Sequence, residues 1–477
     1  MGQEIENPHF SDQDFRTFSR RLHRETELLA RWVADDRFPD LPLMGGLELE
    51  CWLVDRDGAP APVNGRFLEQ IDDPLIVPEL ARFNIELNSE PLLLTGRALS
   101  RMARDLDARW RHCRKTAAQL DADVVMIGIL PTAREAQFHL GNISDLARYR
   151  ALNEQVFRSR RGRPLHLYIE GRDRLDMRHD DVMLEAAATS FQIHLRVPPD
   201  RAAAFHDAAL VASPLMAAAC ANAPYLFGRD LWAETRIPLF EQAVASPPRS
   251  GCPRLGGRVT FGDRFAQGDP LLCFRQNQAC FDPLLPMEMD KYPASLSHLR
   301  LHNGTIWRWN RPLVGFEEDG KPHFRIEHRT ASAGPTVEDG IANAALFYGL
   351  SLVLVEDCAD VAERLDFDAL REDFYAAARL GLVSSMGWLD GRRYDLATLL
   401  LDDLLPRCDT ALRRLGLDAA DVAHYLGIIE RRVATGMTGS RRQRALCERF
   451  GGDMRVLLRA YMEQAEGGRP VHEWDLK

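Results

Sequence analysis

Polar and apolar side chains alternate along four stretches of the chain, which are GLELECWLV (46–54), NIELNSE (84–90), TSFQIHLRV (189–197) and HFRIEHR (323–329). A period of two is typical of a β-strand, because successive side chains point to opposite faces of a sheet. One face of each stretch is apolar and suits a core. The other face carries carboxylates, amides, imidazoles and guanidinium groups, so the four strands predict a sheet with one strongly polar face.

Turn signals and helical periodicity predict how this sheet is completed. Asp57-Gly58 and Asp319-Gly320 are hairpin signals, and with the one-sided polarity they favour a largely antiparallel, curved sheet whose apolar face is covered by helices. The fold class is therefore α+β. The apolar stretch 208–228 contains Pro214 and Asn222, and we interpret it as a buried helix and its end, not as a membrane span.

We predict a single catalytic domain over residues 1–477. Its parts are an N-terminal helix within 1–40, a sheet-containing core over 41–336 and a helical C-terminal part over 337–477. Within the core, the segment 246–312 is rich in proline, glycine and aromatic residues, and we interpret it as ordered but irregular.

Composition narrows the possible surroundings and partners. The net charge of −10 over 477 residues argues against a general nucleic-acid binder. The nine cysteines are scattered and form no CxxC motif, which predicts free thiols in a reducing compartment. No signal peptide is visible, so we expect a cytoplasmic protein that does not bind membranes and is a monomer or a small homo-oligomer.

The polar strand face has two interpretations. Alternation is the ordinary pattern of a half-exposed strand, but glutamate and asparagine are depleted in strands, and no local cation offsets Glu48 and Glu50. Adjacent carboxylates become favourable around a divalent cation, and Mg²⁺ usually takes one or two carboxylates plus substrate phosphates. Arg325 and Arg329 offer planar forks for phosphate or carboxylate. Together these residues favour a site for a metal-nucleotide.

The order of these motifs resembles the glutamate-cysteine ligase type of carboxylate-amine ligase, which shares its catalytic sheet with glutamine synthetase. The motifs that carry the resemblance are GLELE, NIELNSEP, SFQIHLRV, RIEHRTASAGPT, AARLGL (377–382) and TGSRRQR (438–444). It extends over roughly residues 43–465. Single motifs such as GxExE are weak evidence, whereas their order and spacing together are more specific.

The resemblance implies a role for each matching residue. The metal ligands would be Glu48, Glu50, Glu86, His194 and Glu327. The catalytic, anion-binding arginines would be Arg325 and Arg329, the cofactor-binding ones Arg379, Arg441 and Arg442, and the substrate contacts Gln192 and Arg196. Many relatives have histidine at the position of Gln192. Glutamine forms hydrogen bonds but is a poor metal ligand, so the number of metal ions is open.

The resemblance also implies the chemistry. An ATP- and Mg²⁺-dependent ligase would phosphorylate the γ-carboxylate of glutamate and transfer the acyl group to an amine, with cysteine as the leading acceptor. No protein nucleophile is needed, and the sequence has no GxSxG, Walker A or HExxH motif. The alternatives are a γ-glutamyl ligase for another amine, a phosphotransferase on the same fold, a metallohydrolase and, least favoured, a non-catalytic binding protein.

Overall fold

A computed structural model describes residues 9–289 and 292–475 of the chain. Its strands are β1 (Met44–Asp55), β2 (Ile76–Pro78), β3 (Asn84–Asn88), β4 (Leu92–Leu93), β5 (Ala122–Val125), β6 (Leu165–Glu170), β7 (Arg174–His179), β8 (Phe191–Val197), β9 (Tyr225–Leu226), β10 (Arg229–Asp230), β11 (Asn310–Phe316), β12 (Pro322–His328), β13 (Ser385–Gly387) and β14 (Arg393–Asp395). Eight of these strands form the main sheet, and the other six form three small two-stranded sheets.

Helices supply most of the remaining regular structure. They are α1 (Asp12–Ala34), α2 (Asn64–Ile71), α3 (Ala98–Ala118), α4 (Ala147–Ser159), α5 (Ala202–Ala219), α6 (Arg236–Ala243), α7 (Leu272–Cys280), α8 (Ser297–Gly304), α9 (Val337–Asp357), α10 (Val361–Arg364), α11 (Phe367–Leu380), α12 (Leu396–Leu399), α13 (Leu405–Leu415), α14 (Ala419–Thr435), α15 (Gly439–Arg449) and α16 (Met454–Glu466). A single π-turn over 400–404 joins α12 to α13.

The main sheet is antiparallel throughout and curls into a half-barrel. Its order is β11-β12-β8-β1-β3-β2, and β4 and β5 pair with the two ends of β1. The long central strand β1 therefore places residues from distant parts of the sequence side by side. This arrangement confirms the predicted α+β class with a largely antiparallel, curved sheet.

The apolar face of the sheet packs on helices α5 and α9, which contact β8, β11 and β12. Leu49, Ile193 and Ile326 from three strands are buried in this core together with residues of both helices. Two helical stretches, Pro199–Ala219 and Val337–Asp357, are long and apolar enough to cross a membrane, but 94% and 89% of them are buried inside the fold. They have the burial of core helices, as predicted for the first of the two.

Local structure departs from the sequence-based expectations in several places. The segment 246–312 contains two α-helices, α7 and α8, because neither stretch includes a proline. A hairpin, β13 with β14, interrupts the predicted helical C-terminal part. The division of the domain into 1–40, 41–336 and 337–477 stays a prediction.

The cysteine prediction is wrong at one pair. Cys252 and Cys280 form a disulfide, with their Cα atoms 5.7 Å apart, whereas the other seven thiols are free. The two residues are 28 positions apart, a spacing that carries no recognisable motif. They meet because residues around them form a small local core with Leu255, Phe281 and Ile306.

Candidate active site

Strand register places the polar side chains in rows that cross the sheet. His194 of β8 lies opposite Glu327 of β12 on one side and Gly46 of β1 on the other. There are four rows along the face. In order from one end, they are Arg325 with Arg196, then Glu327 with His194, then Gln192 with Glu48 and Asn88, and finally Glu50 with Glu86. The polar residues of four strands thus form one continuous surface.

A cavity of about 1340 Å³ opens on this polar face. Predicted site residues that line it are Glu48, Glu50, Glu86, His194, Arg196, Arg325, Glu327 and Arg329. The segment 246–312 supplies further lining residues, among them Leu285, Leu299 and Trp307. The cavity therefore joins a charged surface from the sheet to a more apolar surface from the segment.

Glu48, His194 and Glu327 form a first cluster, in which one potential ligand atom of each residue lies within 4.8 Å of the others. The imidazole Nε2 of His194 is 3.0 Å from Glu48 Oε1 and 3.9 Å from Glu327 Oε1. Each of the three residues comes from a different strand, so the register alone assembles the cluster.

Cations compensate the charge of this first cluster. The Nε and Nη2 atoms of Arg311 donate to the two carboxylate oxygens of Glu327 at 2.7 and 2.8 Å, and Arg329 Nη1 donates at 3.3 Å. Burial acts to raise the pKa of Glu327, but these two arginines outweigh it and hold the pKa far below its ordinary value. Burial also opposes ionisation of Glu48, yet His194 lowers its pKa.

Glu50, Glu79 and Glu86 form a second cluster, whose potential ligand atoms also lie within 4.8 Å of one another. Burial and the charge of Glu50 raise the pKa of Glu79 to about 8. Burial and the charges of Glu48 and Glu79 raise the pKa of Glu86 well above its usual range. A fourth carboxyl, Glu185, also lines the cavity, and burial beside Glu50 raises its pKa to about 8.

Gln192 connects the second cluster to the cations of the first. Its side-chain Nε2 donates to Glu50 Oε1 at 2.8 Å, and its Oε1 accepts a hydrogen bond from Arg329 Nη1. The backbone N–H of Ser190 donates to the other oxygen of Glu50 at 2.6 Å. Gln192 therefore orients Glu50 and Arg329 through both ends of its amide.

The donor set fits one or more hard divalent cations. Glu48 Oε2 and Glu86 Oε2 are buried, and within the described part of the chain neither has a hydrogen-bond partner. A buried carboxylate oxygen without a donor is costly unless a cation binds it. Carboxylate oxygens with a single imidazole are the ligands that Mg²⁺ and similar ions accept.

The remaining predicted site residues separate into two groups. Arg196 lines the cavity, but its Nη1 donates to Glu317 at 2.9 Å and its Nε and Nη2 donate to the carbonyl of Pro42. Arg379, Arg441 and Arg442 are not among the residues that line the cavity. Their positions therefore give no support to the prediction that they bind the cofactor.

Motif TGSRRQR supports the fold in this structure. Gln443 Nε2 donates to the carbonyl and the side chain of Asn222 at 2.8 Å, and Arg444 Nε donates to Asp230. Arg442 is buried and donates to the carbonyl of Val471 at 3.4 Å, whereas Arg441 is exposed. The motif thus ties α15 to the segment that follows α5.

Sequence reasoning missed Glu79, Arg311 and Arg300. Glu79 follows β2, directly after Pro78, where no alternating pattern marks it. Arg311 and Arg300 belong to the stretch that was interpreted as irregular. The stretch HNGTIWRWNRP around Arg311 contains two tryptophans and one proline, which is typical of the irregular structure that was predicted for it.

A model of glutamate-cysteine ligase family 2 matches residues 44–468. The chain belongs to glutamate-cysteine ligase family 2. Family membership confirms the resemblance seen in the motifs and makes the chain an enzyme of the carboxylate-amine ligase class. A search of curated proteins found no match.

Two solved structures share the fold of this family member. Glutamate–cysteine ligase from Francisella tularensis, in complex with AMP, is 12% identical, with a TM-score of 0.54 over 92% of this chain and 91% of that chain. A bifunctional glutathione synthetase from Pasteurella multocida is also 12% identical, with a TM-score of 0.50 over 89% of this chain and 52% of that one. This chain therefore spans about half of the Pasteurella protein.

Proposed function

We propose that this enzyme is an ATP- and Mg²⁺-dependent ligase that joins the γ-carboxylate of glutamate to an amine, with cysteine as the leading acceptor. The observation that carries the proposal is the pair of carboxylate clusters on one sheet face, with Arg329 and Gln192 between them. Two acidic clusters beside an arginine suit a triphosphate that is bound through metal ions. The AMP complex of the Francisella ligase supports a nucleotide as one substrate.

The proposed reaction has two steps. A γ-carboxylate oxygen of glutamate forms a bond to the γ-phosphorus of ATP, the bond to the bridging oxygen breaks, and ADP leaves. The amine then forms a bond to the acyl carbon, phosphate leaves with the acyl oxygen, and the amine loses a proton to solvent. Bound Mg²⁺ would supply neutralisation of phosphate charge.

The protein contributes by holding charged groups in place. Glu48, His194 and Glu327 would hold one cation, and Glu50, Glu79 and Glu86 a second. Arg329 lies between the clusters, where its guanidinium would stabilise charge on the transferring phosphoryl group. Its position is fixed by Gln192 and Glu327, so little reorganisation is needed during the reaction. Cytoplasmic location and the monomeric or small oligomeric state stay predictions.

The test is release of phosphate from ATP with Mg²⁺, glutamate and a panel of amines that includes cysteine. A ligase releases phosphate faster when an amine is present, whereas a phosphotransferase forms its product without one. Phosphate release that no amine stimulates would contradict the ligase proposal. If another amine stimulates release but cysteine does not, only the choice of acceptor is wrong.

Binding gives a second readout that does not depend on turnover. In Glu50→Gln, Mg-ATP affinity measured by calorimetry should fall markedly, because a carboxylate of the second cluster is lost while the shape is kept. Glu69→Gln is the matched control, since Glu69 is exposed on α2. Unchanged affinity in Glu50→Gln would remove Glu50 from the metal site.

A further inference from the structure

Arg300 and Arg325 form a pair of cations in the cavity that the proposed reaction has not yet used. Arg300 comes from α8 and Arg325 from β12, and both line the cavity. Partial burial lowers the pKa of Arg300, and the positive charge of Arg325 across the cavity lowers it further. Like charges brought together in a cavity are favourable only when an anion binds between them.

Two carboxylates of the cavity lining are already paired with other cations. Glu317 interacts with Arg196 at 2.9 Å and with His323 at 2.7 Å, and Asp319 pairs with Lys321 at 2.6 Å. Over residues 9–289 and 292–475, no acidic side chain forms an ion pair with Arg300 or Arg325. The Nε of Arg325 is also buried without a hydrogen-bond partner there. The pair therefore has free capacity for an anion from solution.

The position of the pair relative to the clusters follows from the register. Arg325 precedes Glu327 by two residues on the same face of β12, which is about 7 Å along the strand. Arg300 lies one helical turn before Gly304, whose carbonyl accepts a hydrogen bond from Arg311 at 3.2 Å. Because Arg311 holds Glu327, the pair lies beside the first cluster, at the end of the face opposite to the second.

Helix α8 is held firmly against α1. The two oxygens of Glu25 contact His298 Nδ1 at 2.6 Å and accept the backbone N–H of Leu299 at 2.9 Å. Glu25 and His298 are only 2% and 1% exposed. Arg300 itself lies over the ring of Phe316, 5.6 Å from its centroid. These contacts fix the backbone from which Arg300 enters the cavity.

The same segment gives the cavity an apolar wall. Phe274, Leu285, Met289, Leu301 and Trp307 all line it. Of these five side chains only Trp307 has a donor, its indole N–H, so the wall suits an aliphatic or aromatic side chain better than a polyphosphate. A nucleotide phosphate also has to reach both clusters, whereas the arginine pair is next to only one.

We propose that Arg300 and Arg325 bind the carboxylate of the acceptor amine and that the apolar wall receives its side chain, so that the acceptor is an α-amino acid with an apolar side chain. This inference rests on the proposed function, in which an amine attacks an activated glutamate. Arg300 is a specificity-determining residue in this reaction and takes no part in phosphoryl transfer. The disposition explains why the segment 246–312 belongs to the site.

Matched acceptors with and without the carboxylate test the proposal. We would measure phosphate release with L-phenylalanine and 2-phenylethylamine, L-leucine and 3-methylbutylamine, and L-cysteine and cysteamine, each with ATP, Mg²⁺ and glutamate. The wild type should prefer the amino acid of each pair. In Arg300→Gln, the KM for amino acids should rise about 10- to 100-fold, as expected for loss of a charged hydrogen bond. The KM for the simple amines should stay within about twofold.

Controls separate this role from a structural one. Arg275→Gln changes an exposed arginine on α7 of the same segment, which pairs with Asp269, and should keep the wild-type preference. Arg300→Lys keeps the charge and should therefore keep part of the preference for amino acids that Arg300→Gln loses. A large fall in the melting temperature of Arg300→Gln would indicate a folding defect. In that case Arg325→Gln provides the same test of acceptor preference from the other arginine of the pair.

Two results would overturn the inference. One is equal use of amino acids and simple amines by the wild type. The other is weaker Mg-ATP binding in Arg300→Gln with an unchanged acceptor preference, which would make the pair a phosphate site. If no amine stimulates phosphate release, the proposed function fails. The carboxylate site is then tested separately by calorimetry, which compares binding of L-phenylalanine and 2-phenylethylamine to the wild type and to Arg300→Gln. Selective binding of L-phenylalanine that the variant loses would support the site. Binding without selectivity, or no binding, would refute the site.

Discussion

The two carboxylate clusters of this enzyme lie side by side on one sheet but differ in their electrostatics. In the first cluster, Arg311, Arg329 and His194 offset the acidic groups, and the pKa of Glu327 is held low. In the second, burial and mutual repulsion dominate, and the pKa values of Glu79 and Glu86 are raised. The same chemical group is therefore ionised in one cluster and protonated over part of the neutral pH range in the other.

This difference shows how a site can be both stable and dependent on its ligand. The carboxylates of the first cluster already face protein cations, and within the described part of the chain Glu48 Oε2 is the carboxylate oxygen of this cluster that lacks a partner. The second cluster becomes fully charged only when a cation enters and displaces protons. We expect the first to contribute to folding and the second to oppose it in the absence of metal, and three measurements bear on this contrast.

The largest effect should come from Glu327→Gln. The variant leaves Arg311 and Arg329 buried without their counter-charge, which should lower the free energy of unfolding by about 3–5 kcal/mol. Urea denaturation followed by circular dichroism measures the loss. Glu86→Gln, in the same metal-free buffer, removes a carboxylate of the second cluster and should cost nothing or stabilise slightly. Equal losses in the two variants would show that the clusters do not differ.

A somewhat smaller effect is expected from Arg329→Lys. Arg329 contacts both Gln192 and Glu327 through Nη1, which leaves its other donors for a phosphoryl group. Lysine keeps the charge but loses this planar set of donors, so turnover should fall by about 10²–10³-fold. Phosphate release under saturating substrates measures it. Arg413→Lys is the control, because Arg413 makes a two-pronged contact to Asp409 on the exposed surface of α13. Turnover of Arg329→Lys near that of the control would mean that the polar face is only a stable surface.

The smallest effect concerns pH. The pKa of Glu79 is about 8 in the folded chain against an ordinary value of 4.5, so the folded state binds this proton more tightly than the unfolded state. The resulting stability is present below pH 4.5 and is lost as the pH rises towards 8. Glu327, with its lowered pKa, has the opposite dependence, and its contribution is lost only below pH 4.5.

Glu79→Gln should therefore stabilise the metal-free protein at pH 8 by up to about 3 kcal/mol relative to pH 5, because each unit of pKa shift is worth about 1.4 kcal/mol. Comparing unfolding of the variant and the wild type at both values isolates Glu79 from the titrating histidines. Added Mg²⁺ should stabilise the wild type more at pH 8 than at pH 5, and this gain should shrink in the variant. A Mg²⁺ effect that is identical in both proteins would remove Glu79 from the second cluster.

Much of the polar face could be predicted because alternation fixes which side chains share a face. Glu48, His194 and Glu327 needed nothing more than the strand pattern and the order of the motifs. Their pairing across β12, β8 and β1 could not be deduced, since these strands are far apart in the sequence. Glu79 was missed because it follows a short strand, where no alternating pattern marks it. Arg311 was missed because the tryptophans and the proline around it were interpreted as irregular structure.

The role predicted for the arginines of the C-terminal motifs stays a prediction. Arg379, Arg441 and Arg442 were selected by resemblance, and a shared motif can be retained for folding as readily as for chemistry. The bonds of Gln443 to Asn222 illustrate this, because they join two elements that the sequence does not connect. Charge and motif membership alone cannot distinguish the two cases.

The cavity has two walls of separate origin: the sheet carries the acidic clusters, and the segment 246–312 carries Arg300 and the apolar residues. Helix α8 rests on α1 through Glu25 and is bonded to β11 at its C-terminal end, through Asn303 and the carbonyl of Gly304. A substitution at Arg300, one turn earlier, leaves these bonds in place. Mutations in the segment 246–312 can therefore change which acceptor is used, while the sheet preserves the groups that carry out the ligation. A lineage with this architecture can explore new products by varying one contiguous stretch of its gene.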